Sequence, residues 1–111
     1  MKLEELLNMI DGETLTEEAE LSREIRGGCG ADLMSDVLAS IQPYAVLLTG
    51  LCNPQVVRTA QMADVAAIVF VRGKRPSRET IELANRYHVV ILNSPLTTFE
   101  LATRLVEAGI K

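Results

Sequence analysis

The sequence predicts one α/β domain: a mainly parallel sheet of about four strands flanked by helices, with an additional helix at the N-terminus. Three observations predict it. Short apolar runs rich in β-branched residues alternate with amphipathic segments of helical length, and from residue 25 onward this strand–helix order repeats four times. The run 66–71 is apolar throughout, as in a strand covered on both faces at the centre of a parallel sheet. Helix starts follow these runs with recognisable caps at Asn53-Pro54, at Pro76-Ser77 and at Thr97 with Glu100. The 111 residues are read as a single domain, 1–111, long enough to bury a core without disulfide or metal.

In chain order, Leu3, Leu6, Leu7 and Ile10 recur at helical spacing and define a short amphipathic helix, stopped by Asp11-Gly12. Residues 13–16 suit a short edge strand and residues 17–20 an acidic turn. Residues 21–25 lead into a second extended segment, followed by Gly27-Gly28-Cys29-Gly30. That run lacks the spacing of a dinucleotide fingerprint. Its glycines allow close backbone approach, either in a tight bend at a sheet edge or against a ligand. Asp32 is placed as the cap of a helix over 32–41, with Leu33, Met34, Val37, Leu38 and Ile41 as a broad apolar face. A buried strand over 45–48 follows. Next comes a helix opened by Asn53 and lined by Val56, Val57, Ala60 and Ala63, then the central strand. A helix over 77–87 turns Ile81 and Ala84 inward, with Leu83 as a further candidate, a short strand covers 89–92, and a last helix packs through Phe99, Ala102 and Leu105 or Val106.

Composition narrows the function. Residues 1–24 carry eight acids and two bases, and residues 25–111 carry seven acids and nine bases. With a net charge of −4, the chain is not read as a nucleic-acid binder. No apolar run has membrane-spanning length, and no signal-peptide pattern opens the chain, so a cytoplasmic protein is expected. In that compartment Cys29 and Cys52 are read as reduced thiols. No cofactor motif is found.

A parallel sheet delivers its strand-to-helix loops to one edge, the carboxyl edge, where open α/β folds bind ligands. This gathers Gly28, Gly30, Cys29, Asp32, Thr49, Cys52, Asn53, Arg72, Gly73, Lys74, Arg75 and Ser77. His88, the sole histidine, falls at the opposite edge and is no partner for either cysteine. Gly73-Lys74-Arg75 lacks the earlier glycine and the hydroxyl of a phosphate-binding loop. Asp32 and Asp36 stand one turn apart, which is read as a cap plus a solvated acid and not as a metal pair. Arg72, Lys74 and Arg75, with the amides at Ser77 and Arg78, have the chemistry of a weak phosphate site. The opposing reading is a solvated turn whose arginines pair with the acidic arm, and both stand open.

The run Val69-Phe70-Val71-Arg72-Gly73-Lys74-Arg75-Pro76-Ser77, then Val90-Ile91-Leu92-Asn93-Ser94, then Leu96-Thr97-Thr98-Phe99-Glu100-Leu101, resembles the DRTGG domain. It is also similar to the N-terminal domain of HPr kinase/phosphorylase. The opening Lys2-Leu3-Glu4-Glu5-Leu6 and Gly12-Glu13-Thr14-Leu15 fit both. Of the naming residues only Gly73 matches directly: the chain carries Leu51-Cys52-Asn53 in place of Asp-Arg, and Val71-Arg72-Gly73 in place of Thr-Gly-Gly. The resemblance implies an α/β domain of regulatory character, often appended to CBS domains or to acetyl-phosphate-handling enzymes.

The expected function is a non-catalytic regulatory or ligand-sensing domain for a phosphate-bearing small molecule or nucleotide. Two alternatives are a redox or metal-binding protein using Cys29 and Cys52, and a protein-interaction adaptor with no small ligand. A homodimer involving the helix over 32–41 is expected from its wide apolar face.

Overall fold

The computed structural model describes residues 1–17 and 20–110. The middle of the expected acidic turn, residues 18–19, lies outside them. Helix α1 (Leu3–Met9) is followed by strand β1 (Glu13–Thr14), β2 (Gly27–Gly30), α2 (Met34–Ser40) and β3 (Ala45–Thr49). Then come α3 (Pro54–Ala63), β4 (Ala67–Phe70), α4 (Arg78–Arg86), β5 (Ile91–Asn93) and α5 (Thr98–Glu107). Among the described residues the sheet has five strands in the order β1-β5-β4-β3-β2. The four strands β2 to β5 pair in parallel, and β1 adds antiparallel to β5 as the short edge strand. The short edge strand expected over 13–16 is thus present, two residues long, beside the four parallel strands.

Parallel strands laid down in sequential order, joined by right-handed crossovers, put every connecting helix on one face. Accordingly α2, α3 and α4 cover one face through Met34, Val37, Val56, Val57, Ala60 and Ala84, against Leu47, Ile68, Phe70 and Ile91. The other face belongs to α1 and α5, whose Leu3, Leu6, Leu101 and Leu105 meet Val46, Leu48, Val69 and Leu92. Successive residues of β3 and β4 alternate between the two clusters, as the two-residue repeat of a strand requires. With both faces covered, every residue of β3, β4 and β5 is buried.

The caps at the ends of β3, β4 and β5 form as expected. Asn53 accepts from the Val56 amide, Ser77 from the Thr80 amide, and Thr97 from the Glu100 amide with Glu100 returning the bond. Three expectations are corrected. Asp32 does not cap α2, whose N-cap position is Leu33 with no side-chain bond. On α2 only Met34 and Val37 are buried, while Leu33 and Leu38 are 61% and 48% exposed. On α5 the buried residues are Leu101 and Leu105; Phe99 and Val106 are exposed at 81% and 69%, and Ala102 is exposed too.

The segment 27–30 is itself edge strand β2, in register with residues 45–48. Gly30 serves close packing: a Cβ there would press to 3.3 Å from the Thr98 methyl, whereas one on Gly28 would make ordinary contact with Leu105 at 3.6 Å. Helix α5 therefore lies close over this end of the sheet.

Candidate functional site

The loops after β2, β3, β4 and β5 meet at the carboxyl edge. Asp32 ties the first two together: its Oδ1 accepts from Thr49 Oγ1 at 2.9 Å and from the Gly50 amide at 3.0 Å. Thr49 Oγ1 in turn accepts from the Leu51 amide at 3.1 Å. The Gly50 amide, then the Thr49 hydroxyl, hold the Asp32 carboxyl below its usual range, against an opposing effect of burial. The positive fields of Lys74 and Arg72 add to the lowering.

The loop after β4 turns sharply because Arg72 and Gly73 both take left-handed backbone conformations, with φ of 56° and 67°. For Gly73 that conformation is free of steric cost; for Arg72 it is strained, and the strain is held by the surrounding structure. The Arg72 amide donates to Leu96 O at 2.8 Å and the Gly73 amide to Ser94 O at 2.7 Å, which locks this turn to the loop after β5. Lys74 Nζ donates to Gly50 O at 3.2 Å. A methyl built on Gly50 would lie 3.6 Å from the Lys74 ammonium and 3.7 Å from the Arg72 guanidinium, so both cations stand beside that glycine. Among the described residues neither cation is in an ion pair.

A cleft of about 380 Å³ opens here, lined by Asp32, Gly50, Val71, Arg72, Thr97, Thr98 and Phe99. Of the residues singled out from the sequence, Thr49, Arg72, Gly73 and Lys74 come together at this edge, and Gly30 reaches it beside Thr98. Of all the residues gathered from the sequence, only Arg72 and Asp32 line the cleft itself. Arg75 turns away to an ion pair with Glu13 of β1, so for this residue the opposing reading, an arginine paired with the acidic arm, holds. The Ser77 and Asn53 side chains are committed to capping α4 and α3. Gly28 sits under α5. Asp32, gathered at this edge by the sequence but read there as a helix cap, lines the cleft, and so does Phe99, which the sequence reading places in the packing face of the last helix. For Phe99 a signal existed: Leu101 and Leu105 share a face at four-residue spacing, and Phe99, two residues before Leu101, lies on the far side.

Cys29 and Cys52 are both free and half-buried. Burial pushes each thiol up; Asp36 reinforces this for Cys29, and Lys74 partly offsets it for Cys52. Among the described residues no group of three or more His, Cys, Asp or Glu side chains is placed to hold a metal ion. No helix among them is long and apolar enough to cross a membrane.

A larger concavity, about 530 Å³, lies at the amino edge around Arg23, Tyr44, Asp64, Tyr87 and His88. Its arginine is already engaged, donating to Ala66 O at 3.2 Å and pairing with Glu20 at 3.4 Å. The carboxyl edge is the candidate for anion chemistry because Arg72 and Lys74 are in no ion pair among the described residues, though its cleft is smaller.

Fold and edge together define a two-faced α/β domain whose polar loops converge on one cleft. The chain matches the DRTGG domain over residues 5–108 and belongs to that family. No curated protein sequence matches it. Among solved structures it is similar to the CBS and DRTGG domains of the regulatory region of Clostridium perfringens pyrophosphatase, crystallised with the activator diadenosine tetraphosphate. The TM-score is 0.76 at 16% sequence identity, with 96% of this chain covered. At that identity the likeness is one of fold. The chain spans 46% of the length of that protein chain.

Proposed function

We propose that this DRTGG domain is a regulatory, ligand-sensing module with no catalysis of its own, and that its carboxyl-edge cleft takes a phosphate-bearing small molecule. The observation that carries this reading is the convergence of Arg72 and Lys74 beside Gly50, with neither cation in an ion pair among the described residues. The strained Arg72 backbone, held by two amide bonds across to the next loop, supports it. The structural relative, a regulatory region complexed with a nucleotide activator, supports it as well. Against a cysteine nucleophile stands the position of His88, which lines the cleft at the amino edge, together with the raised thiols.

Exposed charge contacts are individually weak, roughly 0.3–1 kcal/mol, so affinity for phosphate groups alone is expected near the millimolar range, about 4 kcal/mol. At ten times such a Kd, mass action raises the melting temperature by roughly 5 °C for a domain of this size. A thermal-shift series with phosphorylated metabolites at low and moderate salt tests the reading. The expected result is a shift that shrinks with salt and disappears in Arg72→Ala and Lys74→Ala protein. No shift at ten-millimolar ligand, a concentration on the order of ten times the expected Kd, would sink the reading.

The same module is proposed to work as a homodimer. Exposed Leu33 and Leu38 on α2, with exposed Met62 on the adjacent α3, support a second copy on that face. Light scattering is expected to give a dimer that Leu38→Glu converts to monomer; a monomer in the unmodified protein at micromolar concentration contradicts it.

A further inference from the structure

We infer that Phe99 is an aromatic platform for the base of a nucleotide, and that it selects nucleotides over bare polyphosphates at this cleft; the inference rests on the anion-site reading of Arg72 and Lys74. The chain has two phenylalanines. Phe70 is fully buried, whereas Phe99 is 81% exposed and belongs to neither core cluster. Phe99 lines the same cleft as Arg72 and Asp32.

The backbone that carries it is fixed. Thr97 and Glu100 cap each other's backbone across the first turn of α5, with Phe99 between them. Long side chains on a helix lean toward its N-terminus, which here is the side of the β5–α5 loop and the cleft. Leu101 and Leu105 anchor the helix to the sheet, so the ring is free of any packing duty.

The remaining lining groups divide a nucleotide among them. Arg72, with Lys74 beside the same Gly50, supplies positive charge for the phosphates. Asp32 makes an unsuitable neighbour for a bare polyanion, because its carboxylate stays charged, held so by the Gly50 amide and the Thr49 hydroxyl. The bonds to those two groups use Oδ1, and a carboxylate has further acceptor capacity for sugar hydroxyls. A flat ring accepts any base face, since stacking needs no sequence-specific hydrogen bonds. A cleft of about 380 Å³ falls within the usual span of small-molecule sites, roughly 300–1,000 Å³.

The test is a pair of titrations at matched ionic strength, one with ATP and one with inorganic tripolyphosphate. The unmodified protein is expected to bind ATP about tenfold more tightly, the lower part of the range for one stacked base. In Phe99→Ala that ratio falls to about one while tripolyphosphate affinity is unchanged; Phe99→Trp retains it. The exposure of Phe99 leaves the fold intact in both variants. Arg72→Ala weakens both probes. Equal affinity for the two probes in the unmodified protein, with tripolyphosphate still dependent on Arg72, overturns the platform and leaves the anion site standing. Absence of binding by either probe overturns both. If Phe99→Ala changes the mass by light scattering and preserves the ratio, the ring serves an interface and the inference fails.

Discussion

Phe70→Ala is expected to lower the unfolding free energy by about 3–5 kcal/mol. Phe70 heads the fully buried side chains and closes β4, the strand between β3 and β5. It packs in the cluster beneath α2, α3 and α4. Truncation removes its transfer energy and leaves a void, because the backbone on both sides is held by pairing to Thr49 and Asn93 and cannot collapse inward. Set against a typical total of roughly 5–15 kcal/mol, this loss leaves a marginal domain. Urea unfolding should show a lower midpoint with an unchanged slope. Phe99→Ala provides the contrast, within about 0.5 kcal/mol of the unmodified protein. Similar losses for the two phenylalanines would contradict the assignment of one to the core and the other to the surface.

Leu6→Ala should cost about 2–5 kcal/mol, which is more than a peripheral helix would lose. The sequence pattern suggests a helix added at one side. In the structure α1 supplies Leu3 and Leu6, and Ile10 follows directly, all three with no exposed surface. They share with α5 the covering of Val46, Leu48, Val69 and Leu92. The C-terminal end of α1 is also fastened from a distance. Arg104 Nη1 donates to Met9 O at 2.6 Å, and Ser94 Oγ donates to Ile10 O at 2.6 Å. The second bond joins α1 to the loop that receives the Arg72 and Gly73 amides, so loosening α1 is expected to weaken the cleft as well. The readout is the denaturation midpoint of Leu6→Ala beside that of Leu7→Ala, whose side chain is only half-buried. Equal, small effects would mean that α1 is dispensable.

The sequence by itself determined the alternation of strands and helices, the central position of β4, and the capping of α3, α4 and α5. These follow from local physics: apolar periodicity and the bonding of a cap to amides two or three residues ahead do not depend on distant partners. It also determined that Arg72, Gly73, Lys74 and Thr49 would share an edge, because parallel pairing sends all such loops to one side. Only the tertiary structure decided which side chains face the cleft. Arg75 is claimed by Glu13, 62 residues away in the chain. Asp32, a good cap by its neighbours, is drawn to Thr49 at the end of the next strand and to Gly50 just after it, because two donors there outweigh one local turn. Phe99 reads as core from its hydrophobicity, but the phase of α5 is set by Leu101 and Leu105 against the sheet, and that phase turns the ring outward. Which face of a helix is buried depends on the sum of its long-range contacts, and a residue's own hydrophobicity does not carry that information.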